Sequence, residues 1–298
     1  MARRLTYGPL LIIALIALLW LDDRLGSVPV IGMGLIVLVL GTLACARAGY
    51  ELTRIFGALG VPLHKAVLPL ATPAGFLIGA FTIGRALDVH RLRIDDDSAS
   101  VLAGGALLTT LLAMLAALRH KSPKGAALAT AAAIFAFVYL GISLAFLFAV
   151  RIEHSVWAMA AVVFIVKACD SGAYFTGSSI GKHKLIPWIS PGKTWEGLIG
   201  GLITAAAFGA GFVALHHGLA HAPAHLDALT WVDGVVLGVV LGAVGQLGDL
   251  SASVLKRDAG IKDAGRILPG FGGLLDMLDS LVIAGPVAYF YLHLRTAV

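Results

Sequence analysis

The sequence predicts an all-α integral membrane protein of about nine transmembrane helices, with its N-terminus cytoplasmic and its C-terminus outside. Three observations carry this. The 298-residue chain is 59% hydrophobic and 13% charged, whereas soluble domains carry about 25% charged residues, and its mean hydropathy is +0.92. Apolar stretches near the roughly 20 residues that a span requires recur along the whole length. The basic residues alternate in the sense of the positive-inside rule: with Arg3 and Arg4 inside, one side holds 15 Lys and Arg, the other six, and Lys167 stays within a span. A net charge of +5 is too small to argue for nucleic acid.

The elements follow in order. The first, 6–21, follows the basic start and runs into Trp20, Leu21, Asp22 and Asp23 with no small-x-small cleavage site, so it reads as an uncleaved helix. The second, 28–46, stops at Arg47. Lys65 precedes the third, 66–84, and Arg119 follows the fourth, 101–118. The fifth, 126–149, ends before Arg151, and the sixth, 155–175, carries Lys167 and Asp170. Glu196 opens the seventh, 197–215. The eighth, 232–249, closes on Asp249, and the ninth, 274–294, holds Asp276 and Asp279. Residues 1–150 are ordinary spans, read as scaffold, dimer and lipid contact. Residues 151–298 hold nearly every intramembrane charge and read as a catalytic transmembrane region with a cytoplasmic-face active site. Cys45 and Cys169 are isolated in apolar context and read as buried thiols. His216, His217, His221 and His225 read as part of a solvated outer loop.

Three polar clusters sit at predicted cytoplasmic helix ends. The first runs from Lys167 and Asp170 to Ser190-Pro-Gly-Lys193-Thr194-Trp-Glu196. The second is Gln246-Leu-Gly-Asp249 with Ser251 and Ser253. The third, ending at Ser280, gathers Lys256, Arg257, Lys262 and Arg266 with Asp263, Asp276 and Asp279 around Pro269, Gly270, Gly272 and Gly273. Cations, carboxylates and a Gly-rich turn together suit a polyphosphate site, and charge near hydrocarbon is otherwise costly. Asp276 and Asp279, three apart on a helix, share a face. Alone they read as a dipole-compensating pair. With Asp249 in reach they read as ligands for a hard cation such as Mg²⁺, which takes oxygen ligands and bridges to phosphates. Asp170 and Lys167 fit either an ion pair or an active-site role. Lys193 stands in a Gly-Lys-Thr fragment, but Pro187 occupies the position of the first glycine and no strand is expected before it, so a P-loop is rejected.

In these blocks the chain resembles the phosphatidate cytidylyltransferase family, the CDP-diacylglycerol synthases. The resemblance rests on Ser253-x-Leu255-Lys256-Arg257, Lys262-Asp263, Gly265, Leu268-Pro269, Gly272-Gly273, Asp276 and Asp279-Ser280. Upstream it adds Asp170-Ser-Gly-Ala-Tyr174-Phe175, Ser190-Pro191-x-Lys193-Thr194 and Gln246-Leu-Gly-Asp249. It covers about residues 165–285; before that only hydropathy matches. Two positions depart: Phe271 replaces the usual His, and Met277 a basic or small polar residue. The resemblance implies a multi-pass enzyme of the bacterial inner membrane, a homodimer in contact with membrane lipid. Its reaction is CTP plus phosphatidate giving CDP-diacylglycerol and pyrophosphate, with Mg²⁺ and room for a second cation. It implies that Asp249, Asp276 and Asp279 hold the metal, with Asp263 as a further ligand or a Lys partner. Lys256, Arg257, Lys262 and Arg266 steady the phosphates. Ser190, Lys193 and Thr194 bind lipid phosphate or nucleotide, with Asp170, Ser253, Gly272 and Gly273 lining the substrate site. The rivals are a CTP-using lipid kinase and a transporter.

Overall fold

Hydrocarbon offers no partner to a backbone N–H or C=O, so each apolar stretch closes its hydrogen bonds internally. The computed structural model describes residues 2–25, 34–88, 93–94, 96–117, 123–218, 224–265 and 272–296. Among these, the helices are α1 (Ala2–Leu25), α2 (Leu35–Ala58), α3 (Val67–Ala86), α4 (Asp96–Ala117), α5 (Ala126–Glu153), α6 (Val156–Ile180), α7 (Trp195–Gly218), α8 (Trp231–Asp258) and α9 (Leu275–Thr296). Seven are long and apolar enough to cross a membrane: α2 and α4 through α9. The apolar part of α3, Val67–Ile83, is shorter.

Most helices run past their expected ends, α2 and α8 by the most. α2 continues to Ala58 through Arg47 and Glu51, which pair one turn apart at 3.4 Å. α8 continues to Asp258, so Ser253, Lys256 and Arg257 are helical rather than part of a loop. Asp249, Ser253 and Lys256 then recur at four and three residues and share one face. α5 is wound as a π-helix over Phe137–Ile142, a rare local form that is frequent at functional sites.

Two small antiparallel hairpins were not foreseen: β1 (Leu87–Asp88) with β2 (Arg93–Ile94), and β3 (Lys184–Ile186) with β4 (Ser190–Thr194). The second corrects the expectation that no strand precedes Lys193. β4 runs directly into α7, whose first turn is capped by Thr194: its Oγ1 accepts the Gly197 N–H at 3.1 Å. Glu196 accepts the N–H groups of Lys182 and His183 and pairs with His183 Nδ1 at 2.6 Å, which fixes the hairpin against the helix.

The second half packs through small residues, as bilayer helices do. Gly209 of α7 lies against the Gly234 carbonyl of α8, and Gly238 against the Ala205 carbonyl. Cys45 and Cys169 are free and buried, as expected. At one end of the bundle, Asp22 accepts from Arg151 Nε at 2.8 Å, and Asp233 pairs with Arg295 at 2.7 Å. His216 and His217, in the last turn of α7, share this end, where His216 meets Asp227 at 2.9 Å. His221 lies outside the described residues. The other end, where α6 and α8 finish and α7 and α9 begin, carries the three polar clusters.

Candidate active site

The site is built where α8 and α9 touch. A Cβ on Gly248 would run into the Asp279 carbonyl, so only glycine lets the two helices come this close. The approach brings the side chains of Asp249 and Asp279 together. Asp279 is 2% exposed, and its Oδ1 accepts the Ser280 N–H at 2.7 Å. Two carboxylates held side by side in a largely buried place are stabilised by a shared proton or by a cation between or beside them.

Lysines supply part of that charge. Lys193, delivered from β4, pairs with Asp249 at 2.6 Å and donates to Gln246 Oε1 at 2.8 Å. Gln246 in turn donates to Asp170 Oδ1 at 2.9 Å. Lys167 contacts Asp170 at 3.2 Å and Ser280 Oγ at 2.9 Å. The network thus links α6, β4, α8 and α9. Lys167 and Asp170 pair with each other, and they also belong to the site.

Asp276 and Asp279 do point at one cation, and in this structure it is the Lys256 ammonium, 2.7 Å from Asp276 and 3.8 Å from Asp279. The second oxygen of Asp276 accepts the N–H groups of Gly273 at 2.8 Å and Ala264 at 3.1 Å. One oxygen of Asp276 therefore holds Lys256 and the other the backbone on either side of the Gly-rich turn. Gly272 sits at φ +83°, a left-handed conformation that glycine adopts without strain.

Sequence reasoning missed Glu51. This α2 carboxylate is fully buried and accepts the N–H groups of Leu274 at 3.1 Å and Leu275 at 2.8 Å, capping α9 from the other half of the chain. A side chain on Gly273 would collide with it. The available signal was an acidic residue inside an apolar helix with an arginine one turn before it. Gln246 and Lys167 were quoted for their motifs, but their bridging roles depend on helix rotation.

Not all predicted residues converge. Arg257 donates through Nε to the Ile189 carbonyl at 3.0 Å and so grips the tip of the β3–β4 hairpin. Lys262 and Asp263 are exposed, and Ser253 is half-buried beside Lys256. Thr194, the α7 cap, and Ser190, which pairs with Ile186 in the hairpin, do reach the site and line its cavity. Arg266, Leu268, Pro269, Gly270 and Phe271 lie outside the described residues.

A cavity of about 530 Å³ opens beside the network; Asp170, Lys193, Gln246 and Asp249 line it, together with Tyr174, Ser178, Lys184 and Ser190. It falls within the roughly 300–1,000 Å³ of small-molecule sites. Among the described residues no three Asp, Glu, His or Cys side chains enclose a metal ion by themselves. The Asp249–Asp279 pair nonetheless fits a hard cation, since Mg²⁺ is commonly held by one or two carboxylates with waters and phosphates completing its shell.

The sequence profile of the cytidylyltransferase family matches residues 3–295. A phosphatidate cytidylyltransferase of Haemophilus influenzae is 42% identical over 139 residues, 46% of this chain and 46% of the relative. One from Bacillus subtilis is 41% identical over 130 residues, covering 44% and 45%. One from Staphylococcus aureus is 41% identical over 157 residues, covering 52% and 55%. The chain thus spans about half the length of the curated relatives it matches.

Proposed function

As this chain belongs to the cytidylyltransferase family, we propose that it transfers the cytidylyl group of CTP to phosphatidate, giving CDP-diacylglycerol and pyrophosphate. The observation that carries this reading is the cluster of half-buried Asp249 with Lys193 and buried Asp279 with Lys256, of which Asp249 and Lys193 line the cavity. Phosphoryl-group chemistry at such a site needs in-line positioning and charge neutralisation more than a protein nucleophile.

In this mechanism the lipid phosphate oxygen attacks the α-phosphorus of CTP and pyrophosphate leaves. Lys193, already ordered by Gln246 and Asp249, turns its ammonium towards phosphate oxygens in the cavity. Lys256 does so from the turn side while Asp276 holds it. Asp249 and Asp279 would hold Mg²⁺, which supplies charge neutralisation for the phosphates. Asp276 positions the turn rather than the metal. Gln246 keeps Lys193 and Asp170 in register, and Glu51 fixes the start of α9, whose first two turns carry Asp276 and Asp279.

The same reading carries a homodimer in the bacterial inner membrane, nine crossings, a cytoplasmic N-terminus and a cytoplasmic-face site. The basic-residue asymmetry supports that orientation.

The test uses the purified full chain in detergent–lipid micelles with Mg²⁺, phosphatidate and CTP labelled at either the α- or the γ-phosphorus. Label from the α position in the lipid, with γ label released as pyrophosphate, is the expected result. Label from the γ position in the lipid or in an added prenol would make the protein a kinase and overturn the reading.

A further inference from the structure

The first half of the chain contributes a second unforeseen group. Tyr139 lies in the π-helical segment of α5, its ring stacked on Phe135 with centroids 4.8 Å apart. Its hydroxyl is buried and has no hydrogen-bond partner among the described residues. A buried phenol normally finds a partner, because leaving the group unsatisfied is costly. The unmet donor therefore marks a place where a ligand oxygen belongs.

The surroundings say which ligand. On one side, Asp279 stands one turn back along α9 from residues that share a groove with Tyr139. On the other, Tyr139 lines an apolar groove of about 460 Å³ between α5 and α9, with Val138, Val282 and Ile283 among its walls. Val282 and Ile283 stand three and four residues beyond Asp279, one turn along the same helix face. The groove therefore continues the reaction centre outwards along the bundle. A molecule that fits both ends has a phosphate at the carboxylate end and hydrocarbon at the other.

We infer that Tyr139 binds the acceptor lipid, donating its hydroxyl to an oxygen at the junction of headgroup and acyl chains while one chain lies in the α5–α9 groove. This deepens the proposed cytidylyl transfer and rests on it for the identity of the lipid. The π-helical winding supports the assignment: it rotates the residues after Phe137 relative to a regular α-helix, setting the direction in which Tyr139 projects. Tyr139 makes no bond in the reaction, so it is a binding residue rather than a catalytic one.

The experiment compares wild type, Tyr139→Phe and Val138→Trp in the full chain, in micelles with dioleoyl- or dihexanoyl-phosphatidate. Tyr139→Phe removes only the hydroxyl and should raise KM for phosphatidate about tenfold, the loss of one good hydrogen bond, with KM for CTP unchanged. Val138 is 48% exposed at the groove, so Trp there fills the groove without disturbing the core. It should depress turnover of the dioleoyl lipid while sparing the dihexanoyl one. An unaltered phosphatidate KM in Tyr139→Phe, or equal changes in both KM values, would overturn the assignment. Equal losses on both lipids in Val138→Trp would remove the chain from the groove. Retention of radiolabelled phosphatidate by wild type and Tyr139→Phe is measured alongside. If wild type proves inactive, cytidylyl transfer fails as a reading, while weaker retention by Tyr139→Phe still upholds the lipid contact and equal retention refutes it.

Discussion

Glu51 accepts the backbone N–H of Leu275 at 2.8 Å across 224 positions of sequence. The contact ties α2 to the first turn of α9 and thereby sets where Asp276 and Asp279 project. It also satisfies two of the four N–H groups that a helix start leaves open. Replacing Glu51 with Ala should destabilise the protein by about 1–3 kcal/mol, the cost of a buried donor left unpaired. Thermal unfolding in detergent measures this, and an unchanged midpoint would refute the cap. Glu51→Gln keeps an acceptor oxygen and should recover part of the loss.

Asp279 and Asp276 are expected to separate by the kind of damage their loss causes. Asp279→Asn keeps shape and most hydrogen bonding, so it should abolish turnover while the protein stays folded. Asp276→Ala removes the partner of buried Lys256 and the acceptor of two backbone N–H groups. It should cost stability by about 3–5 kcal/mol, as when a buried ion pair loses one member. Unfolding curves and activity measured on the same preparations decide. Near-normal turnover in Asp279→Asn would sink its assignment.

Lys193 reaches Asp249 and Gln246 from a strand that Arg257 holds by the Ile189 carbonyl. Lys193→Met should lower kcat/KM at least about a hundredfold, the scale of removing one preorganised charge-stabilising group. Arg257→Ala should act more mildly, by loosening the hairpin. Steady-state kinetics with varied CTP tests the order: an Arg257→Ala loss equal to that of Lys193→Met would place Arg257 in direct contact with phosphate.

Metal dependence follows from the carboxylate pair. Chelation should abolish turnover and added Mg²⁺ should restore it. In Asp249→Asn the Mg²⁺ concentration for half-maximal rate should rise, whereas Glu51→Gln should leave it unchanged. A Mg²⁺ titration of each variant measures this, and an identical midpoint in Asp249→Asn would remove Asp249 from the metal.

The sequence by itself determined the membrane class, the approximate place of the helices and the clustering of charge in the second half. Asp249, Asp276, Asp279 and Lys193 were legible as candidates because charged residues in an apolar chain stand out one at a time. Hydropathy is a local sum, so it survives without knowledge of the fold. What it did not contain was rotation and contact. Only the tertiary structure turned the second oxygen of Asp276 towards the turn and placed Lys256 between Asp276 and Asp279. It alone drew Glu51 beneath α9, and set Tyr139 in a groove with Val282 and Ile283, one turn beyond Asp279. These are pairings between helices, decided by close packing at positions such as Gly248, and a side chain's partner across such a contact depends on a rotation that neither composition nor spacing specifies.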